Sequence, residues 1–158
     1  MINRRLNKLT KFLKDNNLTI ATAESCTGGL LSSRLTDISG SSEFIKLNFV
    51  TYSYESKEQI LGVKHETLTN CSAVSYECAK EMAEGLQKRT NCDIALCTTG
   101  IAGPTGGSKK KPVGTVFISA LYKDKLLVNE FHLPPILPRR LMKFMFTEMA
   151  LKTALEVI

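Results

Sequence analysis

The stretch ATAESCTGGLLSSRL, residues 21–35, constrains the fold more than any other part of the chain. A largely apolar run over 18–23 ends in a polar knot, Glu24-Ser25-Cys26-Thr27-Gly28-Gly29. Leu30, Leu31 and Leu35 then recur near one helical face. A short apolar run bounded by turn residues suits a buried strand, and the spacing that follows suits a helix. The turn between them has two readings. It can hold a side-chain nucleophile at the mouth of a sheet, beside N–H groups at a helix start that attract anions. Alternatively, Ser25 or Thr27 only caps the helix and the glycines only turn the chain. The segment by itself leaves both open.

The rest of the chain repeats the alternation. Helices are predicted over 3–14, 27–35, 55–61, 75–89 and 140–157, and strands over 18–23, 44–53 and 93–98. The helix over 75–89 has the clearest signature: Ser75 as its start, with Ala79, Met82, Ala83 and Leu86 as its apolar stripe. Residues 100–112, GIAGPTGGSKKKP, are too rich in Gly and Pro for regular structure. Residues 113–122 and 126–131, joined by Lys123-Asp124-Lys125, read as an antiparallel hairpin. The expected fold is therefore α/β: one domain over 1–158, a mixed and mostly parallel sheet with a late antiparallel hairpin, and helices packed on it as a sandwich.

Composition narrows the function classes. No apolar run approaches the ~20 residues that span a bilayer. The basic start, with Leu6, Leu9, Phe12 and Leu13 at helical spacing, has no continuous apolar core of a secretory signal, so a cytoplasmic location is expected. The 5 cysteines are an odd number without CxxC spacing, and the 2 histidines lie far apart, which argues against a zinc site or a disulfide framework. The net charge of +6 is gathered in short clusters, Arg4-Arg5, Lys109-Lys110-Lys111 and Arg139-Arg140, with no interleaved aromatics. That pattern suits a small anionic ligand better than a nucleic acid.

Three polar clusters follow predicted strands: residues 24–29, then Thr51-Tyr52-Ser53-Tyr54-Glu55-Ser56-Lys57, then Thr98-Thr99-Gly100-Ile101-Ala102-Gly103-Pro104. Ligands of open α/β sheets bind outside the carboxyl ends of strands, so the three can meet in one crevice. They hold hydroxyls, a lysine, tyrosines and many N–H donors, but no histidine. A serine then needs another base, and a lysine whose pKa is depressed by burial can serve. Lys57 follows an apolar strand, Tyr52 could pass a proton or orient Ser25, and glycine-rich backbone could hold an oxyanion. Each also has a plainer reading, as a solvated lysine, a core tyrosine and a surface loop. Cys26 is a second candidate nucleophile, with Ser25 then a cap.

The motifs AESCTGGLLSSRLTDISGSS, VTYSYESK with LGV after it, AVS…AKEMAEG and TTGIAGPTGG…KPVGTV resemble the CinA C-terminal domain family. The resemblance runs from about residue 6 to the end. It implies a metal-independent, cofactor-free hydrolysis of the carboxamide of nicotinamide mononucleotide, giving nicotinate mononucleotide and ammonia, by a homodimer or higher homo-oligomer. By motif it assigns Ser25 as nucleophile, Lys57 as base and Tyr52 as proton relay. Glu24, Thr27, Gly28, Gly29, Thr99, Gly100 and Ala102 fall on the substrate pocket, and Lys111 and Arg139 on the 5′-phosphate. Leu137-Pro138-Arg139 stands where the family reads GDR or GNR, Asn48 where a glycine is common, and Tyr54 where a small polar residue is common. The competing function is a nucleotide-binding or interaction module without turnover, linked to competence or damage response.

Overall fold

The computed structural model describes residues 3–158. Six helices, α1 (Arg4–Asp15), α2 (Leu30–Thr36), α3 (Tyr54–Leu61), α4 (His65–Asn70), α5 (Tyr76–Thr90) and α6 (Arg139–Val157), pack on five strands. The strands are β1 (Ile20–Glu24), β2 (Ile45–Val50), β3 (Ile94–Gly100), β4 (Thr115–Tyr122) and β5 (Lys125–His132), in the order β2-β1-β3-β4-β5. β1 pairs in parallel with both β2 and β3, whereas β3–β4 and β4–β5 are antiparallel. The expected mixed sheet with a late hairpin is the observed one.

Alternation along the central strands explains the sandwich. Ile20, Ile94 and Leu96 face one layer with α1, α2 and α6 residues such as Leu9, Leu31 and Phe146. Ala21, Ala23, Ala95 and Cys97 face the other layer with Leu61, Leu68 and Met82 of α3, α4 and α5. Strands covered on both faces read as continuous apolar runs, which is why β1 and β3 stand out in the sequence.

Two boundaries and one helix near the site depart from the sequence reading. α2 begins at Leu30, not at residue 27, because Gly28 (φ +59°) and Gly29 (φ +96°) hold the backbone in left-handed conformations. β2 ends at Val50, and Ser53, expected in the strand, instead caps α3: its Oγ accepts from Ser56 N, and Ser56 Oγ accepts from Ser53 N. α4 has no counterpart in the prediction; its six residues are too few to show a helical period, and no side chain caps its start.

Candidate active site

The three parallel strands bring their carboxyl ends to one edge of the sheet, where a cleft of about 920 Å³ opens. Ser25 sits one residue beyond β1. Its N–H donates to Thr98 O at 3.0 Å, extending the β1–β3 ladder, and its carbonyl accepts from Gly28 N at 3.1 Å to close a tight turn. The residue is 9% exposed, and it lines the cleft.

Lys57 comes from the first turn of α3 and is only 1% exposed. Its Nζ lies 3.0 Å from Ser25 Oγ and donates to Thr51 O at 2.7 Å. Burial pushes its pKa below the ordinary 10.5, opposed in part by the neighbouring Cys78 and Cys26 thiols. A buried amine with a lowered pKa, held against a serine hydroxyl, has the geometry of a general base and its nucleophile. Cys26 also reaches the cleft, but burial pushes its thiol up to about 12, so it is protonated near neutral pH.

Of the residues expected at the site, Ser25, Tyr52, Lys57, Thr99, Gly100, Ala102, Lys111 and Arg139 all line the cleft. Tyr52 is 60% exposed, and its hydroxyl accepts from Arg139 Nη2 at 3.1 Å. Arg139 Nη1 donates to Gly103 O at 2.6 Å, which ties the mouth of the cleft to the glycine-rich loop. Thr99 Oγ1 donates to Ala73 O at 2.7 Å, which occupies its hydroxyl in holding a wall.

Four expected pocket residues lie outside the cleft lining. Glu24 is fully buried, and its carboxylate accepts from Thr27 Oγ1, Leu31 N, Ser32 N and Ser32 Oγ at 2.6–3.0 Å. Two of those donors are N–H groups in the first turn of α2, so the Glu24 carboxylate is engaged at the helix start and does not line the cleft. Thr27 is fully buried and joins Glu24 to Thr98 Oγ1, 2.8 Å away. Gly28 and Gly29 shape the turn; a side chain at Gly28 would approach Lys143 Nζ to 3.3 Å.

The cleft also takes in Tyr54 and Ile101 of the strand-end clusters and Lys110 of the basic cluster, and it recruits Ser72 and Val74, which were not expected there. Ser72 and Val74 belong to the connection between α4 and α5, and no local residue pattern signals that this segment folds back against β3. Among the described residues, no group of three or more His, Cys, Asp or Glu is placed to hold a metal, and no helix is long and apolar enough to cross a membrane.

The fold and site thus define an α/β protein that presents a buried serine–lysine pair in a cleft at the carboxyl edge of its parallel strands. The chain belongs to the CinA family: residues 3–158 match the CinA C-terminal domain. The crystal structure of the competence/damage inducible protein CihA from Agrobacterium tumefaciens superposes with a TM-score of 0.95 at 37% identity, covering 99% of this chain and 94% of that one. A CinA superfamily protein from Escherichia coli gives 0.93 at 32% identity, covering 100% and 91%. A CinA-like protein from Chloroherpeton thalassium is 49% identical over 94% of this chain and 36% of its own length. The chain spans about 30% of the length of other curated relatives it matches.

Proposed function

We propose that the chain hydrolyses the carboxamide of nicotinamide mononucleotide to nicotinate mononucleotide and ammonia through an ester of Ser25. The observation that carries this reading is the 3.0 Å approach of Lys57 Nζ to Ser25 Oγ in a buried setting. The neutral amine takes the hydroxyl proton as Oγ attacks the carboxamide carbon. The resulting ammonium then gives that proton to the departing nitrogen, the C–N bond breaks, and ammonia leaves an acyl-Ser25 ester. Water attacks the ester with Lys57 again as base, releasing the carboxylate and restoring the serine. The Thr51 carbonyl accepts one amine hydrogen at 2.7 Å and so helps aim the nitrogen at Ser25. Ala102, buried on the cleft wall, has an N–H with no acceptor among the described residues and supplies a donor for the oxyanion.

Ammonia release from nicotinamide mononucleotide tests the proposal. Ser25→Ala and Lys57→Ala should each lower kcat by about a thousandfold or more. Unchanged turnover in both variants would exclude the mechanism. A binding module without turnover is the second reading, favoured by the competence and damage naming of the relatives. Nucleotide binding by a wild-type protein that releases no ammonia would select it.

A further inference from the structure

Thr51, whose carbonyl holds Lys57, carries a side chain that the fold leaves unused. Among the described residues, Thr51 Oγ1 is the buried side-chain oxygen without a hydrogen-bond partner, and the residue is 0% exposed. Buried threonines close by all have one: Thr22 with Ser32, Thr27 with Glu24, Thr98 with Thr27, and Thr99 with Ala73. The Thr51 backbone is engaged on both sides. Its N–H donates to Glu24 O at 2.8 Å, which carries the β1–β2 ladder one residue beyond Val50, and its carbonyl accepts from Lys57 Nζ at 2.7 Å. Only the hydroxyl is left over. Burying a hydroxyl with no partner opposes folding, and a valine of nearly the same shape would avoid that cost.

Acyl transfer creates a use for it. Covalent geometry keeps Oγ1 within about 5 Å of the carbonyl oxygen that Nζ already touches, and a change of staggered rotamer redirects it. Once Nζ has taken the Ser25 proton, it holds three N–H groups. One points to the Thr51 carbonyl, and one must reach the departing nitrogen. The third needs an acceptor, and that bond is stronger from a charged donor than from a neutral one. We propose that Thr51 is a positioning residue whose hydroxyl accepts this third N–H, holding the Lys57 ammonium while its proton passes to the leaving group. This role rests on the acyl-transfer reading of the Ser25–Lys57 pair. The titratable groups that face Lys57 are Cys26 beyond β1 and Cys78 on α5, whose thiols burial pushes up to about 12 and about 11. Both are neutral near neutral pH, and the cleft cations Lys110, Lys111 and Arg139 are the same in wild type and in Thr51 variants.

The Lys57 Cε resonance, assigned by its loss in Lys57→Met, reports the proton affinity of the amine in the whole chain without turnover. Thr51→Val and Thr51→Ala should each bind the Lys57 proton about tenfold more weakly, the value of one charge-assisted hydrogen bond. Their kcat on nicotinamide mononucleotide should fall about tenfold, with the acid limb of the pH–rate profile moved to lower pH. Thr51→Ser, which keeps a hydroxyl, should titrate and turn over like wild type. Thr51→Val should resist denaturant at least as well as wild type, because it removes an unsatisfied group. Wild-type titration in both apolar variants, a serine variant that behaves as they do, or a valine variant less stable than wild type overturns the role. Titration that moves as expected without ammonia release from wild type removes the amide reading and leaves the contact between hydroxyl and ammonium standing. Ammonia release with an unmoved titration does the reverse.

Discussion

A lysine ammonium is costly to bury, and Lys57 is only 1% exposed. The fold meets that cost by favouring the neutral amine, which lowers the pKa below 10.5. Two outcomes follow at the residue scale. The rate should rise with pH through the lowered Lys57 pKa, and Lys57→Arg, which stays protonated, should be inactive at every pH; a flat pH–rate profile in wild type would remove Lys57 as base. Stability should move the same way. Between the folded pKa and 10.5 the unfolded chain binds more protons than the native one, so stability climbs with pH across that window. Denaturation midpoints should therefore shift in favour of wild type over Lys57→Met as pH rises. Cys26, with its thiol pushed up to about 12, should be dispensable as a nucleophile. Cys26→Ala should keep turnover within about tenfold of wild type, allowing for repacking around a buried side chain.

At the scale of elements, α3 owes its position to one glycine on α5. A methyl group built on Gly85 would lie 1.7 Å from Leu61 O, the last residue of α3. Gly85→Ala must drive the two helices apart, at about 1–3 kcal/mol of stability by denaturant titration. Because α3 carries Lys57, kcat should fall with it in the fraction that stays folded. Unchanged stability and turnover would mean that the close approach of Gly85 to Leu61 does not set the position of α3. Glu24 shows the same coupling at the other side of the pair. Its carboxylate gathers four donors around the start of α2 and so fixes the turn that presents Ser25. Glu24→Gln replaces one acceptor oxygen by an NH₂ group that faces donors, and should destabilise by about 2 kcal/mol. The sequence marks Glu24 as part of the functional motif. Only the three-dimensional arrangement shows that it faces inward.

Over the whole molecule, the layer formed by α1, α2 and α6 carries a buried charge cluster. Glu148 of α6 accepts from Arg34 of α2 at 2.5 Å and from Arg5 of α1 at 2.9 Å. Arg34 is 6% exposed, donates to Thr147 Oγ1 at 2.6 Å and packs over the Phe144 ring at 4.6 Å. Removing the carboxylate leaves guanidinium charge in a desolvated place, so Glu148→Ala should cost about 3–5 kcal/mol in a denaturant midpoint measurement. A loss under about 1 kcal/mol would mean that solvent screens this cluster as it does a surface pair. The partners lie 114 and 143 residues apart in the chain, and no local pattern could pair them.

The sequence by itself determined the α/β class, the number of strands and the three strand-end clusters, because continuous apolar runs, helix starts and glycine turns are local properties. It also determined Ser25 and Lys57 as candidates, through motif and the carboxyl ends on which they fall. The tertiary structure decided which polar groups face one another. It turned Glu24 and Thr27 inward, gave the Tyr52 hydroxyl to Arg139 and engaged Lys111 with Cys71 and Ser72. Those outcomes depend on which donors and acceptors remain unsatisfied once distant elements pack, and hydrogen bonds between residues far apart leave no periodic trace in the chain.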